Sequence, residues 1–301
     1  MIGRIAFALL ATASIPAILG PQHACAAVAP AAETIQLAHI SVQVTGKGSP
    51  VILIPGLSSP RAVWDGVAPN LAKSHTVYLV QLNGFGGSDA TGNLAPGILD
   101  GVVADLHKLI TDRKLQGAAV GGHSMGGLLT LMLARAHPGD VGKALIVDAL
   151  PFVGSAFFPG STVATVAPQA AALRDQMASA YGKPADPAAN QAIAAGQALK
   201  PESRAKVAEW IAGADPRVTG QSLYEDLSTD LRPDMAKVTA PVTVIVPWVP
   251  SRGEESTLGF YRNEYAGTPK LTLVGVGDSG HFVMLDQPEA FSKALDAFLA
   301  G

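Results

Sequence analysis

Ala118-Ala119-Val120-Gly121-Gly122-His123-Ser124-Met125-Gly126-Gly127-Leu128-Leu129 carries an apolar run, a glycine-flanked serine and a second apolar run. Ala118 to Gly122 reads as a short buried strand, and Leu128 to Ala136 as a helix. Between them lies G-x-S-x-G, Gly122 to Gly126, with Gly127 after it. A strand can turn into a helix this sharply only if the neighbours of the turning residue are small. The serine then sits on a strained backbone with its Oγ pushed clear of the sheet. The helix that starts just beyond it aims backbone N–H groups at the same point, which favours a developing negative charge.

The same pattern of elements extends in both directions. Upstream, Ile35 to Val44 alternates apolar and polar residues and predicts antiparallel strand over Thr34 to Thr45, followed by a Gly46-Lys47-Gly48 turn. Val51 to Ile54 and Thr76 to Leu82 are continuous apolar runs, as expected of strands covered on both faces. Val63 to Leu71 and Ile98 to Ile110 have helical spacing. Downstream, Ala144 to Val147, Val242 to Val246 and Leu271 to Val276 read as buried strands, and Pro288 to Leu299 as the closing helix. Alternating strands and helices predict an α/β fold with a mostly parallel, doubly wound sheet. The alternation lapses over 151–234, an alanine-rich stretch with helical spacing at Leu173/Met177 and Val207/Trp210/Ile211. This segment is expected to be a helical cap over the carboxyl ends of the strands, where such sheets bind ligands. The core is then 27–150 with 235–301.

Residues 1–26 read as a signal peptide: Arg4 near the start, an apolar run from Ile5 to Leu19, and Ala24-Cys25-Ala26 as the cleavage site. The apolar run is shorter than the roughly 20 residues of a membrane-spanning helix. The expected location is therefore periplasmic or secreted, with no span left after cleavage. Among 301 residues there is one cysteine, Cys25, which excludes a disulfide framework and any cysteine-based metal site. A net charge of −3 with no block of like charge leaves no basic face for nucleic acid. With 48% hydrophobic and 15% charged residues the chain is not disordered.

A serine needs a base to take its proton. Of seven histidines, His281 alone follows a buried strand and a glycine-bearing loop, Gly277 to Gly280, just before the last helix. That puts it at the carboxyl end of the sheet, on the side of Ser124. The base in turn needs a carboxylate to orient it. Asp148 ends the strand after the serine's helix, and Ser124, Asp148, His281 is a workable chain order. The rival position follows Val242 to Val246, where the chain has no aspartate but does have Glu254 and Glu255. Backbone donors for an oxyanion are expected from Met125 N–H, at the helix start, and from Leu57 N–H, in the Pro55-Gly56-Leu57-Ser58 turn.

These pieces resemble the α/β-hydrolase superfamily, of the serine esterase and lipase kind, from about Ile35 to Leu299. The matching motifs are Pro55-Gly56-Leu57, Asn83-Gly84-Phe85-Gly86-Gly87-Ser88, the turn at Ser124, and Gly280-His281. Many members carry the acid after the strand that is Val242 to Val246 here, and others place it where Asp148 stands. The resemblance implies a helical cap and no metal or organic cofactor. It makes hydrolysis of small-molecule esters with small to medium hydrophobic acyl groups the expected activity, and the inserted segment offers Phe152, Phe157, Phe158 and Trp210 either as apolar wall or, equally, as core of the cap. Cleavage of lactone, amide or C–C bonds, perhydrolysis at the same triad, and a non-catalytic binding role are the alternatives.

Overall fold

The computed structural model describes residues 33–157 and 160–301. The expected signal peptide, and Phe158 of the expected wall, lie outside the described residues. Eight strands form one sheet: β1 (Glu33–Gln36), β2 (Ile40–Gly46), β3 (Ser49–Ile54), β4 (His75–Leu82), β5 (Ala118–His123), β6 (Val141–Val147), β7 (Val242–Trp248) and β8 (Leu271–Gly277). Their order is β1-β2-β4-β3-β5-β6-β7-β8. β2 pairs antiparallel with β1 and β4, and every other pairing is parallel.

The continuous apolar runs follow from cover on both faces. In β3, Ile52 and Ile54 join one core with Val120, Ile146 and Val244 from the neighbouring strands. Val51 and Leu53 join the opposite core with Leu79, Leu145 and Ile245. The first face is covered by α2 (Ile98–Arg113) and α3 (Met125–Ala136). The second is covered by α11 (Pro288–Ala300) and by α1 (Ala68–Leu71) with the preceding 3-10 turn Arg61–Trp64. Sequence spacing predicts one helix over Val63 to Leu71. The structure has two short pieces instead, because Gly66 and Pro69 weaken a helix interior there.

The single strand expected over Thr34 to Thr45 is a hairpin, β1 turning into β2 at Leu37-Ala38-His39. The turn is held from a distance. His39 N–H donates to Asp105 Oδ2 at 2.6 Å, and Asn83 Nδ2 donates to the carbonyls of Leu37 and Ala38.

Between β6 and β7 the described residues make five α-helices, α4 (Gly154–Phe157), α5 (Val163–Ala178), α6 (Pro187–Gln197), α7 (Pro201–Ala212) and α8 (Pro216–Ser228), followed by a 3-10 turn, Arg232–Lys237. Three of them begin with proline at the first position, whose missing N–H is an orphan there anyway. α5 and α8 enclose a small core of their own around Phe152, Val166, Ala170 and Leu227. α6 and α7 lay Ala194 and Val207 on the second face of the sheet. Polar ties fix this segment to the rest. Glu225 of α8 accepts from the N–H groups of Gly97 and Leu99 at 2.7 and 2.8 Å, capping α2 with a negative charge where its dipole is positive. The chain closes with α9 (Glu254–Glu264) before β8 and α10 (Val283–Asp286) before α11.

Candidate active site

β5 ends at His123 and α3 begins at Met125, so Ser124 alone makes the turn, at φ 54° and ψ −128°. An L-residue in that region costs on the order of 1–3 kcal/mol. Close packing imposes the glycines: a Cβ on Gly122 would collide with the carbonyl of Gly126, and one on Gly126 with the carbonyl of Ile54. Gly56 is equally constrained, since a Cβ there would stand 2.9 Å from Ser124 Cβ. The Pro55-Gly56-Leu57 turn therefore lies against the serine; Met125 lines the cavity of Ser124, whereas Leu57 packs partly buried against the first core.

Asp148 follows β6 with φ 46°, a second strained residue. Its Oδ2 lies 2.6 Å from His281 Nδ1. A carboxylate only accepts, so Nδ1 carries the proton and Nε2 keeps its lone pair. Oδ1 accepts from the Tyr261 hydroxyl. Burial, and next the charge of Asp148, push the Tyr261 phenol well above its ordinary range, which keeps it a donor. Four residues on, at the C-terminal cap of α9, Tyr265 O–H donates to Ala149 O at 2.8 Å, and burial raises its phenol too. The two tyrosines thus clamp the segment that bears Asp148.

The His281 loop is pinned by three groups. Asp286, fully buried, accepts from the N–H groups of Gly280, Leu199 and Lys200 at 2.9, 2.9 and 3.2 Å. The carbonyl of His281 accepts from His123 Nε2 at 3.0 Å. Burial, then the neighbouring His281, hold the His123 imidazole far below its ordinary pKa, so it stays neutral and structural. Gln287 Nε2 donates to Asp278 O at 2.7 Å.

Ser124, Asp148 and His281 are thus brought to one cavity, of about 170 Å³, which Met125 also lines. Glu254 and Glu255 are not brought there. They open α9, where Glu255 is exposed and lies 3.5 Å from Arg262, and Glu254 is exposed beside Gly275 of β8. Phe157 lines the cavity, but two other residues of the expected wall do not. Phe152 is fully buried in the α5–α8 core with Arg232 over its ring, and Trp210 packs on Phe282. Phe152 serves the core of the inserted helices and Trp210 their packing against the sheet, so Leu128, Leu150 and Val153 supply the wall with Phe157.

Sequence reasoning missed Tyr261, Tyr265 and Asp226. The tyrosine pair has a readable signal, an i, i+4 spacing in the helix after β7. Asp226 of α8 also lines the cavity, and burial raises its carboxyl to about 7. Among the described residues one group could hold a metal ion, His107, His137 and Asp140, and none of them lines this cavity.

A doubly wound α/β sheet with a serine on a strained strand-to-helix turn, and a histidine–aspartate pair sharing its cavity, defines a class of protein. Residues 51–294 match the pattern of the Alpha/beta hydrolase family, and the chain belongs to that family. It is 27% identical over 273 residues to the pimeloyl-[acyl-carrier protein] methyl ester esterase of Nitrosomonas europaea, covering 87% of this chain and 100% of the relative. It is 32% identical over 142 residues to the enzyme of the same name from Aeromonas hydrophila, a match that spans 46% of this chain and only 51% of the relative. Among solved structures, a thermophilic esterase from Thermogutta terrifontis superposes with a TM-score of 0.72 at 21% identity, covering 89% of this chain and 98% of that one. An enol-lactonase from Burkholderia xenovorans gives 0.69 at 18%, covering 87% and 96%. At these identities the likeness is one of fold.

Proposed function

We propose that the protein is a serine hydrolase that cleaves carboxylic esters of small to medium hydrophobic acyl groups through an acyl-enzyme. One observation carries the reading: the 2.6 Å bond between His281 Nδ1 and Asp148 Oδ2, in the same cavity as a serine held at a strained turn. The bond leaves His281 Nε2 free to accept the Ser124 proton as Oγ attacks the ester carbonyl. Asp148 stabilises the imidazolium that results. The N–H groups of Met125 and Leu57 stabilise the oxyanion. His281 returns the proton to the departing alcohol, and water then releases the acid by the same steps in reverse roles. The ester-cleaving relatives support the bond type.

The cavity bounds the substrate. About 170 Å³ is close to the size of an apolar cavity, about 150 Å³, that admits benzene. The part of the substrate it holds is therefore short. We also take the protein to be exported, on the reading of residues 1–26.

The test is p-nitrophenyl ester hydrolysis from acetyl to dodecanoyl, on wild-type protein and on Ser124→Ala. Hydrolysis with an optimum at or below hexanoyl, abolished by the substitution, is expected. Folded wild-type protein that cleaves no ester, or a variant that cleaves them normally, contradicts the proposal.

A further inference from the structure

Most of the cavity wall is apolar, and the triad and Tyr261 account for its polar groups with one exception, Asp226. This residue comes from the far side of the site, on α8 of the inserted helices, whereas Ser124, Asp148 and His281 all end strands of the sheet or follow them. Its side chain is more than nine-tenths buried, at 6% residue exposure. Among the described residues it has no salt-bridge partner, and its carboxyl oxygens make no hydrogen bond. The other carboxylates around the site contrast with it. Asp148 is bonded by His281 and Tyr261, Asp286 by three backbone N–H groups, and Glu225, one residue earlier on the same helix, by two.

A buried carboxyl without a partner is costly, and a leucine would fill the same place without that cost. The neighbouring residue on the helix is Leu227, which does fill the small core beside it. The cost at position 226 is offset when a hydrogen-bond donor enters the cavity.

We propose that Asp226 is a specificity-determining residue, which selects substrates carrying an uncharged hydrogen-bond donor, a hydroxyl or an amide N–H, on the part lodged in this cavity. The inference rests on the ester-hydrolase reading for the reaction but not for the binding. A donor suits either protonation state of the carboxyl. Burial places its titration at about 7, and both the acid and its anion keep an oxygen that accepts. The apolar remainder of the wall, with Leu128, Leu150 and Val153, limits the donor-bearing group to a short one. A substrate lacking the donor leaves the carboxyl unpaired and desolvated, and a site built to bond a polar group discriminates strongly against its absence.

The experiment compares matched esters on wild-type protein, Asp226→Leu and Asp226→Asn. One pair differs on the acyl side, p-nitrophenyl butanoate against p-nitrophenyl 3-hydroxybutanoate. A second differs on the alcohol side, butyl acetate against 3-hydroxybutyl acetate. In whichever pair places its variable group in the cavity, wild type is expected to favour the hydroxylated ester in kcat/KM by about tenfold or more. Asp226→Leu should reverse that preference. Asp226→Asn, which keeps a carbonyl acceptor, should fall between. A purely structural role lowers both esters together and leaves the ratio unchanged. An unchanged ratio in both pairs, in both variants, overturns the proposal.

Binding decides the matter separately. On Ser124→Ala protein, which leaves the esters intact, the hydroxylated ester of at least one pair should bind more tightly than its plain partner, and adding Asp226→Leu should erase the difference. If wild type cleaves none of these esters the hydrolase reading fails, and the binding comparison still supports or overturns the role of Asp226.

Discussion

Replacing Asp226 by asparagine should stabilise the protein, and by an amount that grows with pH. The carboxyl titrates at about 7 in the folded chain against an ordinary value of 3.8, with burial as the main cause and the nearby His281 opposing it. Below about pH 4 the group is protonated in both states and costs nothing extra. As pH rises the unfolded chain ionises first, the folded chain holds the additional proton, and stability falls until about pH 7. Roughly three pH units at about 1.4 kcal/mol each give a total near 4 kcal/mol, of which about 3 kcal/mol falls between pH 5 and pH 8. Asparagine is nearly isosteric and does not ionise, so the variant lacks this loss. Urea unfolding of both proteins at pH 5 and pH 8 measures it, because shared titrating groups that do not sense Asp226 cancel in the difference. The advantage of the variant should be about 3 kcal/mol larger at pH 8. An advantage equal at the two pH values would mean that the carboxyl is solvated or paired, and would refute the reasoning.

Three further outcomes are expected, two from contacts at the site and one from the N-terminal sequence. Asp148→Asn removes the acceptor that fixes the His281 tautomer and should lower kcat by about 10³–10⁴-fold with little change in KM, read by steady-state kinetics. If hydrolysis survives nearly intact, Glu254 or Glu255 regains its claim. Tyr261→Phe leaves Asp148 Oδ1 without its hydroxyl donor and should cost about 1–3 kcal/mol in urea unfolding together with a smaller fall in kcat. Unchanged stability and kcat would show that the hydroxyl carries neither. Expression with the full leader in a bacterial host should yield a periplasmic or secreted chain beginning at Ala27, checked by intact mass, and a cytoplasmic chain that retains Arg4 would contradict the export reading.

The parts legible in the sequence were those that backbone geometry dictates. Gly122, Gly126 and the apolar runs around them leave one local solution, and the strand order carries Asp148 and His281 to the same sheet edge. The illegible parts depend on contacts between distant segments. The turn that splits β1 from β2 is held by Asn83 and Asp105, far along the chain, although the shift of apolar parity between Leu37 and Ile40 hints at it. Which aromatics line the cavity depends on how α5 to α8 lean on the sheet. Composition cannot distinguish Phe157, at the cavity, from Phe152, five residues earlier in the cap core. Asp226 escaped notice for a similar reason. An aspartate between Glu225 and Leu227 reads as part of a solvated helix face until α8 is docked, and docking turns it inward.

The central claim is that Ser124 is a nucleophile activated by His281 and Asp148. It is tested most directly by treating the protein with a phosphonofluoridate and mapping the adduct by mass spectrometry. The account predicts one phosphonyl group per chain, on Ser124, with formation slowed by orders of magnitude in His281→Ala. Labelling at another serine, or labelling of Ser124 at an unchanged rate without His281, would contradict it.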